Sequence, residues 1–141
     1  MTTLNPYIYF NGNCEDAFNF YKLVFQQEFK YRRYKDVPKT DRQIFQEADE
    51  KIMHISLPIS TETILMGSDN TEAYKKSKTY NNFSLIIHTD SKEEADRLFH
   101  ELSDGGQIKM LMNQTFWGSY YGILTDKFGI DWKIAFNSGT E

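Results

Sequence analysis

Residues 7–24, YIYFNGNCEDAFNFYKLV, and residues 83–102, FSLIIHTDSKEEADRLFHEL, decide the fold because they say the same thing twice. Each opens on a short apolar strand, turns at polar residues, and continues into a run whose apolar positions recur at helical spacing. The two helical runs align at a constant offset: Asn13 with Ser91, Ala17 with Ala95, Tyr21 with Phe99 and Val24 with Leu102. Each is followed by more alternating stretches, so the repeated unit reads β-α-β-β-β. A single unit of this kind leaves one face of its sheet uncovered, so two are expected side by side, enclosing a cavity. The predicted class is therefore α+β: two modules forming a curved mixed sheet around a cavity, with helices over 13–26 and 91–103 on the outside.

Asn13 is a suitable N-cap with Asp16 in the first turn, and Ser91 with Glu94 forms a capping box. Residues 29–35 alternate as a second strand, and the polar stretch 36–50 is a loop broken by a short strand at Ile44 and Phe45. Met53, Ile55 and Leu57 alternate with Ile52, His54 and Ser56, and Pro58 ends that strand. A fourth strand spans 63–68, and residues 69–82 (DNTEAYKKSKTYNN) are nearly free of aliphatics and read as a surface linker. In the second module, strands fall at 108–112, 120–124 and 130–136, with a turn at 126–129. One domain is expected over 1–141, with module 1 at 4–69, a linker at 70–80 and module 2 at 81–137.

Composition limits the partners. The net charge of −4 argues against nucleic acid, which is bound by clustered Lys and Arg. The one basic stretch, from Lys30 to Arg42, reads as the solvated face of an edge strand and its loop. Eleven Phe and nine Tyr exceed what a minimal core needs, so some must line something else. A single Cys14 forbids an internal disulfide, and no apolar run approaches a membrane span. A cytoplasmic, soluble protein with no membrane partner is expected.

Four separated motifs in order carry a resemblance: residues 7–21 (YIYFNGNCEDAFNFY), 51–57 (KIMHISL), 116–118 (FWG) and 125–132 (TDKFGIDW). Together they resemble the PhnB-like proteins of the vicinal oxygen chelate superfamily, with glyoxalase I, extradiol dioxygenases and bleomycin-resistance proteins, over essentially the whole chain. The label 3-demethylubiquinone 3-methyltransferase often attached to that family finds no support in the residues. A methyl donor of the adenosyl type calls for a glycine-rich strand-to-helix turn in a parallel sheet, and Asn11-Gly12-Asn13 has one glycine.

The resemblance implies metal ligands, mostly His and Glu, on the first and last strands of each module. Carried over, those positions are Asn5 (or Tyr7 after a slip of two) and Met66, then Ser84 and Lys133. None is a usual ligand for a hard or borderline divalent ion, and Lys133 sets a positive charge where the cation belongs. No metal and no cofactor are expected at these positions.

Alternation directs His54 toward the cavity, and His88, Asp131 and Lys133 likewise. Lys133 needs a partner there, either a carboxylate such as Asp131 or Glu62 or an anionic ligand. Cys14 opens a helix, which lowers a thiol pKa, yet it also begins the apolar stripe, which buries it. Two readings follow. The first is a small-molecule-binding protein whose cavity is lined by Tyr7, Tyr9, His54, Met66, Trp117, Tyr120 and Lys133. The second is a glyoxalase- or dioxygenase-type enzyme, with a rearranged metal site or a metal-free acid–base site using His54 with Lys133 or Asp131. A homodimer is expected in either case, with exposed aromatics at 116–121 and the basic strand at 30–35 as contact surfaces.

Overall fold

The computed structural model describes residues 2–36, 49–70 and 82–137. The expected strand at Ile44 and Phe45 and most of the linker lie outside the described residues. The chain forms two compact units, Met1–Thr79 and Tyr80–Glu141. The first holds β1 (Tyr7–Phe10), α1 (Cys14–Phe25), β2 (Lys30–Arg33), β3 (Ile52–Pro58) and β4 (Ile64–Asp69), and the second β5 (Leu85–His88), α2 (Lys92–Ser103), β6 (Gln107–Gln114), β7 (Ser119–Thr125) and β8 (Asp131–Asn137). The sheet orders are β1-β4-β3-β2 and β5-β8-β7-β6, the same topology twice. In each, the outer pair is parallel and the other two are antiparallel, giving the mixed sheets that the repeat predicts.

Each helix lays one stripe on its own sheet. In the first unit Cys14, Ala17, Phe18, Tyr21 and Val24 are buried with Ile8, Phe10, Ile55, Leu57 and Leu65. The Phe18 ring meets Phe10 and Tyr21 edge-on, at 6.3 and 5.6 Å. Gly67 allows this approach, because a Cβ there would sit 2.9 Å from the Phe18 ring. In the second unit Ala95, Leu98, Phe99 and Leu102 are buried with Leu124, Trp132 and Ile134. Gly122 gives way to Phe99 and Met112 in the same manner.

The polar centre of the first unit is a residue that the polar segment at 69–82 reads as linker. Asp69 ends β4 and is 1% exposed. One carboxylate oxygen accepts the backbone N–H groups of Gly12 and Cys14 at 3.0 and 2.9 Å, and the other accepts that of Ile52 at 2.9 Å. Its carbonyl accepts the Tyr34 hydroxyl at 2.8 Å. The start of α1 is therefore capped from 55 residues away, and the Asn13 side chain makes no cap bond. The charge also meets the positive end of the helix. Around this hub the Arg33 guanidinium forks onto Glu15 at 2.9 and 2.8 Å and also donates to the Glu50 carbonyl.

The second unit uses a different buried carboxylate. Asp126, placed at the turn by its sequence, accepts the N–H groups of Phe128 and Ile130 and the Trp132 indole N–H, at 2.8, 3.0 and 2.8 Å. Its helix is capped locally as expected, with Ser91 Oγ accepting the Glu94 N–H at 3.1 Å. The Glu94 carboxylate turns to Arg97 rather than completing a capping box. One alternation also breaks: β2 and β3 slip register between Arg32 and Arg33, so Ile52 is buried where strict alternation favours Met53.

Removing the Asp69 carboxylate strands three backbone donors, each costing ~1–3 kcal/mol when buried and unpaired. Asp69→Ala is expected to lower stability by at least about 3 kcal/mol in chemical denaturation, and Asp69→Asn, which keeps one acceptor, by less. A loss under ~1 kcal/mol for the alanine variant contradicts the hub. The Arg33 guanidinium holds the Glu15 carboxyl below its ordinary value of 4.5. Its contribution is thus present above that value and lost as pH falls through the lower folded one. Glu15→Gln is expected to flatten the acid limb of a stability–pH curve below about pH 4.5 and to leave its slope near neutrality unchanged.

Candidate functional site

Strand register sorts side chains onto two faces of each sheet. In the first unit Tyr7, Met66, Ser56 and Lys30 form one cross-strand row, and Ile8, Gly67, Ile55 and Tyr31 form the next. Gly67 packs on Phe18, so the second row faces α1 and the first lies on the helix-free face. Tyr9, Ser68, His54 and Arg32 share that free face. Three rings cluster there: Tyr7 lies 5.1 Å from Tyr9 and 5.7 Å from His54. The Tyr7 hydroxyl and His54 Nδ1 share a hydrogen bond of 3.3 Å. Tyr9 remains 59% exposed beside them. Of the residues singled out from the sequence, the structure thus gathers Tyr7, Tyr9, His54 and Met66.

In the second unit the helix-free face carries Ile86, Lys133 and Ile123 in one row and His88, Ala135 and Tyr121 in the next. Lys133 makes no ion pair among the described residues, neither with Asp131 nor with Glu62; Asp131 instead accepts the Thr125 hydroxyl at 2.6 Å. Trp117 sits in the β6–β7 turn, 54% exposed, where Gly118 takes a φ of 92°. Its ring meets Tyr121 at 5.7 Å and Phe116 at 5.0 Å.

Tyr120 does not join them. Its hydroxyl donates to Asp96 on α2, and Lys92 lies 4.6 Å over its ring. The hydrogen bond to Asp96, with burial, pushes the Tyr120 phenol up to about 12. Tyr121 occupies the helix-free side instead. The signal was present in the sequence: Tyr120 shares parity with Gly122 and Leu124, and Leu124 is a core residue. The four-aromatic cluster hid it.

The positions that the resemblance assigns to metal ligands can be tested one by one. Asn5 spends its side-chain oxygen on the Ile64 N–H at 3.0 Å. Met66 offers a soft thioether and Lys133 an ammonium, and Ser84 a neutral hydroxyl. This donor set does not fit a divalent ion. Among the described residues no three His, Cys, Asp or Glu converge elsewhere. A separate cleft of about 340 Å³ at the start of α1 is lined by Glu15, Arg33, Glu50 and Lys51. Its charges already serve the Asp69 hub: Arg33 holds Glu15, and Lys51 donates to the Gly12 carbonyl at 3.0 Å. Cys14, also at this helix start, is fully buried. Burial first, and then the charges of Asp69 and Glu15, push its thiol well above the ordinary range, so the helix terminus does not activate it.

A sequence-family profile described as 3-demethylubiquinone-9 3-methyltransferase matches residues 2–135. Protein YjdN of Escherichia coli (strain K12) is 34% identical over 139 residues, covering 93% of this chain and 92% of that protein. The crystal structure of protein PA1353 from Pseudomonas aeruginosa superposes with a TM-score of 0.85 at 34% identity, covering 97% of this chain and 98% of that one. A putative 3-demethylubiquinone-9 3-methyltransferase, PhnB protein, from Bacillus cereus follows at a TM-score of 0.75 and 23% identity, covering 96% and 99%. A structure described as a glyoxalase/bleomycin resistance protein/dioxygenase family enzyme from Burkholderia phytofirmans PsJN shares the fold at a TM-score of 0.65 and 16% identity, covering 94% and 95%. No helix among the described residues is long and apolar enough to cross a membrane.

The Cys14 thiol is expected to stay silent toward a thiol reagent such as dithionitrobenzoate at pH 8 in native protein and to titrate as one equivalent after unfolding. Rapid native labelling contradicts the burial described above.

Proposed function

This chain belongs to the family described as 3-demethylubiquinone-9 3-methyltransferase, whose PhnB-like members have the glyoxalase/bleomycin-resistance fold, and we propose that it works as a small-molecule-binding protein of that fold. The observation that carries the reading is the ring cluster of Tyr7, Tyr9 and His54 on the helix-free face of the first sheet, with Met66 the cross-strand neighbour of Tyr7. Partly exposed aromatic rings on a strand framework offer stacking area to a flat ligand at low entropic cost. Trp117 and Tyr121 offer a second aromatic pair in the other unit, with Lys133 on the same face as Tyr121. In this reading residues 1–141 act as one cytoplasmic domain, and a homodimer uses the exposed Phe116 side chain at the hairpin tip as a contact.

The methyltransferase description is not adopted for the activity. The turn at 11–13 that leads into α1 has its Gly12 and Cys14 N–H groups filled by the Asp69 carboxylate. A cofactor phosphate or carboxylate seated on that helix terminus would need those donors, and the sheet behind it is mixed rather than doubly wound parallel.

An acid–base enzyme is the second reading, supported by the Tyr7–His54 contact. A phenol on Nδ1 orients the imidazole and leaves Nε2 for proton transfer.

Thermal shift with a planar aromatic probe such as 1-naphthoate is expected to raise the melting temperature of wild-type protein. Tyr9→Ala should weaken probe binding by about 0.5–1.5 kcal/mol, the range for one aromatic contact. Added Zn, Ni, Fe or Mn ions should leave the melting temperature and the bound-metal content near baseline. Stoichiometric metal with a matching stabilisation moves the assignment to a metalloenzyme.

A further inference from the structure

Two charges of the first unit are left unused by its other described residues. Along β2, Tyr31 and Arg33 stand on the α1 side, and Arg33 is paired with Glu15 there. Lys30 and Arg32 stand on the helix-free face, opposite Ser56 and His54. The other described cations of the unit are engaged: Lys22 with Glu28, Lys35 with Glu50, and Lys51 with the Gly12 carbonyl. Among the described residues Lys30 and Arg32 have no carboxylate partner, and no strand position on their face is Asp or Glu. A chain of net charge −4 therefore presents one strand face that is cationic and aromatic with no acid on it.

The two features are continuous. Arg32 lies directly across from His54, whose ring is 5.7 Å from Tyr7, which in turn lies 5.1 Å from Tyr9. The aromatic and cationic ends sit on β1 and β2, the two outer strands of the sheet, three strand spacings or about 14 Å apart. The line Tyr9, Tyr7, His54, Arg32 runs across that span, and a fused-ring ligand bearing an acid group laid along it would meet both ends. A guanidinium suits a carboxylate, sulfonate or phosphate because its fork matches two acceptor oxygens.

We propose that the helix-free face of the first unit binds a planar aromatic anion, its rings on Tyr7 and Tyr9 and its acid group on Arg32 with Lys30 alongside. The proposal rests on the small-molecule reading and adds the ligand's charge and the two residues that recognise it. The competing role for Lys30 and Arg32 is protection of a sheet edge against pairing with another chain, which needs charge but no ligand.

Two dyes that differ by one group separate these. 8-Anilinonaphthalene-1-sulfonate carries the anion, and N-phenyl-1-naphthylamine is the same ring system without it. In fluorescence titrations the wild-type protein should bind the sulfonate about tenfold tighter than the neutral dye, with the gap narrowing as salt is added. Arg32→Gln should weaken the sulfonate about tenfold and leave the neutral dye unchanged, with Lys30→Gln giving a smaller loss of the same kind. Tyr9→Ala should weaken both dyes, and Lys92→Gln on α2 neither. Equal affinities for the two dyes, both lowered by Tyr9→Ala and neither by Arg32→Gln, overturn the anion assignment and leave the small-molecule reading standing. So does a sulfonate loss in Lys92→Gln as large as in Arg32→Gln, or increased aggregation of Arg32→Gln with unchanged dye binding. Binding of neither dye removes both the reading and the inference.

Discussion

The first unit is organised by one buried carboxylate. Asp69 closes β4, and its two oxygens reach the turn before α1, the first turn of α1 and the start of β3. A polar group this deep is tolerable only when its acceptor capacity is met, and here three backbone donors meet it. The arrangement fixes where the helix begins relative to the sheet, and with it which helical residues face inward. Tyr34 ties the far side of the same residue to the chain after β2. Arg33 and Glu15 then lock that strand end to the helix with a forked ion pair, though one exposed enough for water to weaken it.

Fixing the helix on one face leaves the other face of each sheet without a helix of its own. The rows are set by register, so every residue on the open face follows from the pairing of β1 with β4 and of β5 with β8. At the places where relatives in the superfamily are expected to hold a cation, this chain carries a thioether and an ammonium. Those groups do not make a divalent-metal site: one is a polarisable, apolar sulfur and the other a cation. The two units solve the same topology with different buried acids, Asp69 at a strand end and Asp126 in a turn. The repeat is thus preserved in strand order and helix stripe, and lost in the polar residues that pin each copy.

Much of the candidate site was legible because β-strands have a period of two. Ile55 and Leu57 point to the helix, so His54 had to point away, and it does. The same logic set Lys133 opposite Trp132 and Ile134, and the structure agrees. Tyr120 differs from the expectation because it shares parity with Leu124 and so turns to α2, while Tyr121 takes the helix-free side. Ile52 differs because a register slip interrupts the alternation of β3.

By itself the sequence determined the doubled β-α-β-β-β order, both helix stripes and the face to which most strand residues belong. Those properties are local: apolar spacing, cap residues and turn residues act over a few positions and repeat at a fixed offset. Only the tertiary structure decided what Asp69 does, since its partners lie 55, 57 and 17 residues away and its neighbours in sequence are polar. It also decided that Cys14 is buried in the core and that Asn13 caps nothing with its side chain. Long-range polar contacts leave no periodic trace in a chain, because a single side chain reaching a distant backbone group imposes no pattern on the residues around it.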